Sequence, residues 1–396
     1  MAKSNEHRTL GRRGFMKTAA AGTLILGARS ALGAAANETL EIGIIGCGGR
    51  GPWIGDLFQK NSATRVVAVH DPFKDRAAHA GEMLKVPENR QYTGLDGYHD
   101  LIASGVDAVA IISPPYFHPE QTVAALEAGK HVYLAKPIAV DVPGCNTIVD
   151  AANKHAATLC TWVDFQTRQH PFYINAIQRL HGGLLGEPVM GQAYYYARRL
   201  NIKMEPGTEE ARLRNWVFDI ALSGDIIVEQ NVHMLDVANW MLKSHPLRAC
   251  GTGGRKARVD VGDCWDHFVV TYWYPNDVII DFSSGQFVHA FEDLCTRLHC
   301  TTGSIDTHYG GEVVVEGKSE AYRPGATTAI YQEGAVANIQ AFHAAIAAGK
   351  PINNAQESAH STLTGVLGRM AAYQGRTITW DEMMQANEKL EANLIL

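Results

Sequence analysis

Lys136, Glu229 and His233 are side chains of the types that handle protons. Lys136 closes the β-rich run "GKHVYLAKP" and is followed by Pro137. An amine partly desolvated beside a positive charge gives up its proton more readily and can then take one from an alcohol. His233 has an intrinsic pKa near neutrality, so it can accept or relay the same proton. Glu229 precedes His233 by four residues in "SGDIIVEQNVHMLDVANW". On one helix, predicted over roughly 224–242, that spacing places both on one face. The carboxylate there could orient the imidazole or accept from a substrate. A metal site built on this pair lacks a third ligand, and no metal is expected.

An upstream loop supplies the companion to proton removal. In "GIIGCGGRG", Gly46-x-Gly48-x-x-Gly51 follows a strand and precedes a helical stretch. The first glycine permits a tight turn, the second admits a pyrophosphate to the backbone, and the third lets helix and strand pack closely. Phosphates then sit at a positive helix N-terminus. The next strand ends at Asp71, about 25 residues beyond Gly46 and near the usual offset of roughly 20. A carboxylate there accepts from a ribose diol and repels a 2′-phosphate, which favours NAD; nearby Lys74 and Arg50 leave NADP open. Gly46, Gly48, Gly49, Arg50, Gly51, Asp71, Ser113, Pro114, His118 and Lys136 are the expected cofactor contacts, His118 serving either contact or packing. Hydride would leave a secondary alcohol for the nicotinamide as Lys136 or His233 takes the hydroxyl proton.

These groups must be held by alternating elements. From residue 39, short β-rich runs ("LEIGIIG", "TRVVAVHD", "VDAVAIIS", "HVYLAKP", "TLCTWVD") alternate with helical stretches. That pattern predicts parallel β-α-β units. Beyond residue 165, β-rich runs such as "HFVVTYWYP" and "DVIIDFSSGQFV" are joined by short turns, which favour antiparallel pairing. The fold class expected is α/β: a Rossmann-type doubly wound parallel sheet, then an α/β domain with an open, mostly antiparallel sheet. The domains are a signal peptide at 1–36, a dinucleotide-binding domain at 37–165, a substrate-binding domain at 166–350, and C-terminal helices packing on the body at 351–396.

"HPEQTVAALEAGKHVYLAKPIA" and "SGDIIVEQNVHMLDVANW" resemble two signatures of the Gfo/Idh/MocA oxidoreductases, the glucose–fructose oxidoreductase and inositol dehydrogenase group. "RQHPFYINAIQRLHGGLLGEP" resembles the first helix of that family's substrate domain. The resemblance implies a sugar, polyol or glycoside substrate, and a β-rich sheet that pairs subunits as a homodimer or homotetramer. It also puts Arg168 near the domain junction as a substrate contact, while Tyr116 could stack on a sugar's apolar face. One residue departs from the pattern: Ala135 stands where the family carries a glutamate beside its lysine.

The first 36 residues read differently. Arg12-Arg13-Gly14-Phe15-Met16-Lys17, a short apolar run and Ala34-Ala35-Ala36 have the order of a signal peptide, and the paired arginines resemble the twin-arginine type. Cleavage is expected after Ala36, with the twin-arginine translocase a partner during export and the periplasm the destination. Such substrates cross the membrane folded, so a nucleotide taken up inside would travel with the chain. The net charge of −6 becomes more negative without the tag, which argues against nucleic acid as a partner. No apolar run approaches the ~20 residues of a membrane span. The seven cysteines lack C-x-x-C spacing and read as buried thiols, a Cys295–Cys300 disulfide being disfavoured. The chemistry expected is NAD(P)-dependent oxidation of a sugar or polyol. The alternatives are redox-neutral glycoside cleavage through transient oxidation and elimination, and a non-catalytic sugar-binding protein.

Overall fold

Six parallel strands form the first sheet: β1 (Leu40–Ile45), β2 (Thr64–His70), β3 (Gln91–Tyr92), β4 (Ala108–Ile111), β5 (His131–Ala135) and β6 (Thr161–Asp164). Their order is β3-β2-β1-β4-β5-β6. This computed structural model describes residues 39–394, so the expected signal peptide lies outside the described residues. Every residue of β4 and β6 is buried; β4 is accordingly an unbroken apolar run, while β6 ends in the buried carboxylate of Asp164. Helices α1 (Arg50–Asn61), α2 (Lys74–Leu84), α3 (Gly97–Ala103), α4 (His118–Glu127) and α5 (Val142–His155) cover the two faces. Strand order reverses between β1 and β4, so a crevice opens beyond their carboxyl ends.

The second sheet has nine strands. They are β7 (Pro188–Ala197), β8 (Arg248–Gly254), β9 (His267–Trp273), β10 (Ile279–Gln286), β11 (Asp293–Cys300), β12 (Gly303–His308), β13 (Glu312–Gly317), β14 (Ala321–Ala326) and β15 (Ile378–Thr379). Their order is β14-β13-β12-β11-β7-β10-β9-β8-β15, antiparallel except where β7 lies beside β10. Alternate residues Ala193, Tyr195, Phe282 and Leu298 enter the core. Against that face pack helices α6 (Pro171–His181), α7 (Val232–Leu242) and α9 (Ala355–Gln374); α8 (Ile330–Ala347) lies elsewhere. The Thr296 hydroxyl donates to the Met234 carbonyl at 2.9 Å, tying β11 to α7.

Three differences from the sequence reading have physical causes. The helix expected over 224–242 is two: a turn at Ile226–Glu229 and then α7, separated at Gln230 and Asn231. Gly224 and Asp225 take positive φ, so no helix starts before Ile226, and the Asn231 N–H reaches five residues back to the Ile226 carbonyl at 2.9 Å, which interrupts the regular ladder before α7. Helix α8, grouped by sequence with the substrate domain, buries Ala335, Ile339 and Phe342 in the nucleotide-domain core with Phe58 and Tyr133. The last segment is more than a surface layer: α9 is buried along most of its length, and β15 extends the second sheet. All seven cysteines are free thiols, five of them buried. Cys295 and Cys300 share β11 five residues apart, so they face opposite sides and cannot bridge.

Candidate active site

The glycine loop runs from the end of β1 into α1. Gly46 adopts φ +93°, and a Cβ there would lie 2.5 Å from the Ser113 nitrogen. A Cβ on Gly51 would lie 1.9 Å from the Gly46 carbonyl, so helix and strand meet only because both are glycine. At Gly48 and Gly49, by contrast, an added carbon would meet nothing closer than Arg76 Nη1 at 3.9 Å. That stretch of backbone is open to a ligand, and α1 begins beside it with no side-chain cap. A pyrophosphate fits these features.

Asp71 is buried just past β2. Its Oδ2 accepts from the Cys47 N–H at 2.8 Å and its Oδ1 from the Phe73 N–H at 3.0 Å. It therefore shapes the glycine loop and the β2 turn, with lone pairs left for a ribose. Around it lies a cleft lined in part by Gly46, Phe73, Arg76, Ser113, Pro114 and Leu213. Arg76 and Leu213 escaped the sequence reading. Leu213 belongs to the segment Glu209–Arg214 of the second domain, and Arg214 anchors that segment by pairing with Asp75 at 2.7 Å. Leu390, Ala392 and Leu394 of the C-terminal tail pack into the same apolar cluster, as does Tyr116. Tyr116 is thus placed among Phe73, Phe117, Leu213 and Leu222.

Beyond β5, Lys136 Nζ donates to the Glu229 carbonyl at 2.7 Å and to Glu229 Oε1 at 3.2 Å. Two buried side chains hold the segments that meet there. Arg369 donates to the Val140 carbonyl at 3.0 Å and the Gly224 carbonyl at 2.8 Å, clamping the chain after Lys136 to the turn before Glu229. His118 places its Nδ1 2.9 Å from the Pro137 carbonyl and its Nε2 2.8 Å from the Ser113 carbonyl. Both ring nitrogens face main-chain carbonyls, so His118 bridges the strand ends, and its single N–H donates to one of the two when the ring is neutral. Burial pushes its pKa down to about 4, against the two carbonyl contacts, and it is neutral.

His233 is buried at the start of α7, between the rings of Phe165 and Tyr309. Glu229 does not orient it: the carboxylate is given to Lys136, and His233 Nδ1 has no hydrogen-bond partner among the described residues. Burial first, then the positive charges of Lys136 and Arg50, hold its pKa well below the usual histidine range. A neutral imidazole is what a proton acceptor requires.

Arg50 leaves the glycine loop and pairs with Asp164 at the end of β6, its guanidinium lying over Trp53 and Tyr331. Burial works against its charge, but Asp164 outweighs that and raises its pKa. Asn338 of α8 donates to the other Asp164 oxygen at 3.0 Å. Asp164 could have been found as the last residue of a strand at the carboxyl edge of the sheet; Asn338 and Tyr309 carry no such signal. Arg168 is fastened by two hydrogen bonds of 2.9 Å to Asp236. It lines a different cavity, with Trp240, Lys243, His245, Glu357 and His360.

A dinucleotide loop, a lysine at the carboxyl edge of the sheet and a neutral histidine from the second domain define a nucleotide-dependent dehydrogenase-type architecture. The chain belongs to the Gfo/Idh/MocA family: the model of the "Oxidoreductase family, NAD-binding Rossmann fold" matches residues 40–163, and that of the "GFO/IDH/MocA C-terminal domain" matches 173–306. NAD is accordingly its cofactor. It is 35% identical over 206 residues to an inositol 2-dehydrogenase of Serratia proteamaculans (strain 568), covering 52% of this chain and 55% of that one. It is 27% identical over 205 residues to a scyllo-inositol 2-dehydrogenase (NAD(+)) of Bacillus subtilis (strain 168), covering 50% and 54%. The chain thus spans about half the length of these curated relatives. Among solved structures, an aldose-aldose oxidoreductase from Caulobacter crescentus complexed with glycerol shares the fold at TM-score 0.72 and 19% identity, over 86% of this chain and 100% of that one. A levoglucosan dehydrogenase in complex with NADH and levoglucosan does so at TM-score 0.72 and 17% identity, over 86% and 99%.

Proposed function

We propose that this chain oxidises a secondary alcohol of a sugar or polyol. The carrying observation is the pairing of Lys136 with Glu229 beside a neutral, unpartnered His233. NAD, held at the Gly46–Gly51 loop and Asp71, supplies the hydride acceptor. His233 takes the hydroxyl proton. Lys136 gives two hydrogen bonds to Glu229 and keeps a third N–H for the substrate oxygen, where it stabilises the negative charge that develops as the proton leaves. Running in reverse, the protonated imidazole returns its proton to the carbonyl oxygen. Division of labour between the two residues avoids asking a lysine held by a carboxylate to serve as the base.

The same reading includes export by the twin-arginine route with the cofactor in place. It is supported by Arg12, Arg13 and the apolar run that follows, and by the Glu209–Arg214 segment and C-terminal tail packed at the adenosine end. The test is mass spectrometry of the native protein recovered from the periplasm, followed by turnover assays with inositols, aldoses and aryl glycosides. Retained nucleotide and a sugar- or polyol-dependent change in NADH support the proposal. Glycoside cleavage with no net NADH would replace it with the redox-neutral reaction, and an empty protein unable to hold dinucleotide would end it.

A further inference from the structure

The second sheet has a face turned away from α7. Thr296 and Leu298 of β11 enter the core, so Asp293, Cys295 and Arg297 project to the opposite side. Cys295 sits directly across from His308 of β12 in the antiparallel register, and Asp293 lies two residues before Cys295 on the same face. The register therefore gathers a carboxylate, a thiol and an imidazole at one spot, far from Lys136 in both sequence and role.

We infer that Asp293, Cys295 and His308 form a binding site for a zinc-type divalent cation on the outer face of the second sheet. Their ligand atoms all lie within 4.8 Å of one another. His308 Nδ1 is 2.9 Å from Asp293 Oδ1, and Cys295 Sγ is 3.6 Å from Asp293 Oδ2. Tetrahedral zinc with bonds of about 2.0–2.3 Å holds its ligands roughly 3–4 Å apart, so small side-chain rotations suffice. A mixed sulfur, nitrogen and oxygen set selects zinc over calcium or magnesium, which take oxygen alone.

The surroundings add a second feature that a simple ion pair does not need. The other ring nitrogen of His308, Nε2, lies 3.2 Å from Asp306 Oδ1, and Arg297 holds Asp306 Oδ2 at 2.9 Å. At zinc sites a histidine that ligates through one nitrogen gives its other N–H to a carboxylate, and a small rotation of the His308 ring would turn this 3.2 Å ion-pair contact into that bond. Cys295 is buried while Asp293 and His308 remain partly exposed, so a cation reaches the thiol past those two. On binding, sulfur forms a bond to the ion and its proton leaves to water. The fourth position is left to water. Linear spacing hides the set, because its halves lie on opposite strands of a hairpin.

The test uses the full purified chain, stripped with chelator and titrated with Co²⁺ and then Zn²⁺. Expected are one ion per chain, a thiolate-to-cobalt charge-transfer band, and loss of that band when Zn²⁺ displaces Co²⁺. Cys295→Ser should abolish the band and leave NAD-dependent turnover unchanged. Asp306→Asn, which leaves all three ligands in place, should weaken Zn²⁺ binding by about 10–100-fold. Should Cys295→Ser fail to fold, His308→Asn on the exposed side reads the same loss. No charge-transfer band in the wild-type chain, or Zn²⁺ binding undiminished in the ligand variants, overturns the inference.

Discussion

Lys136 reaches Glu229 twice, at the main-chain carbonyl 2.7 Å away and at the carboxylate 3.2 Å away. The two contacts differ in what a mutation can remove. Glu229→Gln deletes the charge and keeps the carbonyl, so it should cost on the order of tenfold in kcat, whereas Lys136→Ala should cost about 10²–10⁴-fold. Steady-state NADH assays measure both, and nucleotide content by mass should be unchanged in either variant.

His233 predicts a pH profile. Its pKa is held well below the usual value, so it stays neutral and able to accept a proton as the solution is acidified. The acid limb of kcat/KM for alcohol oxidation should lie below pH 6.5 instead of at it. His233→Ala should lower kcat by about 10²–10⁴-fold and remove that limb. An acid limb centred at or above 6.5 in the wild type would argue against a neutral His233.

Gly51→Ala should empty the nucleotide site. The added Cβ would stand 1.9 Å from the Gly46 carbonyl oxygen, and neither that main-chain atom nor a Cβ fixed on its Cα can rotate away. The purified variant is expected to carry no dinucleotide by mass, while far-ultraviolet circular dichroism shows the fold retained.

His118 makes the fold acid-labile. Its pKa falls from about 6.5 unfolded to about 4 folded, so the unfolded chain binds the extra proton between those values. Stability tied to this residue is therefore complete above pH 6.5 and is lost progressively as the pH drops to 4, by about 3 kcal/mol. Denaturant unfolding at pH 7 and pH 4.5 measures the difference, and His118→Asn should shrink it.

Arg214→Ala should speed nucleotide release and do little else. The ion pair with Asp75 is partly exposed, so its loss is worth no more than ~1 kcal/mol, or up to about fivefold in the off-rate. Stopped-flow displacement of bound NADH gives that rate.

Much of this was legible in the chain. Gly46, Gly48, Gly51 and Asp71 announce themselves because local backbone demands fix residue types at set spacings. Lys136 does so by ending a strand before proline. The partnership of Glu229 with Lys136 was not legible. The i,i+4 spacing pointed Glu229 at His233, but positive φ at Gly224 and Asp225 starts a short turn that ends before α7, and tertiary packing through Arg369 gave the carboxylate to the lysine instead. Arg168 read as a substrate contact, yet Asp236, which claims it, lies far along the chain. Asn338 and Tyr309 reach the site from beyond residue 300, where no local pattern marks them.

Phe342 of α8 sits edge-on to Phe58 and Tyr133 in the nucleotide domain's core. The aromatic wedge that completes that core thus leaves the ribosome long after the six strands it packs beneath. A fragment severed near residue 165 would lack it, together with the Asn338 side chain that steadies Asp164. Losing such a buried ring costs a core about 3–5 kcal/mol, a large share of a domain's total stability. The nucleotide half is consequently no autonomous module: it matures only after α8 has been made, and swapping residues 39–165 alone onto another substrate domain would yield an unfinished protein.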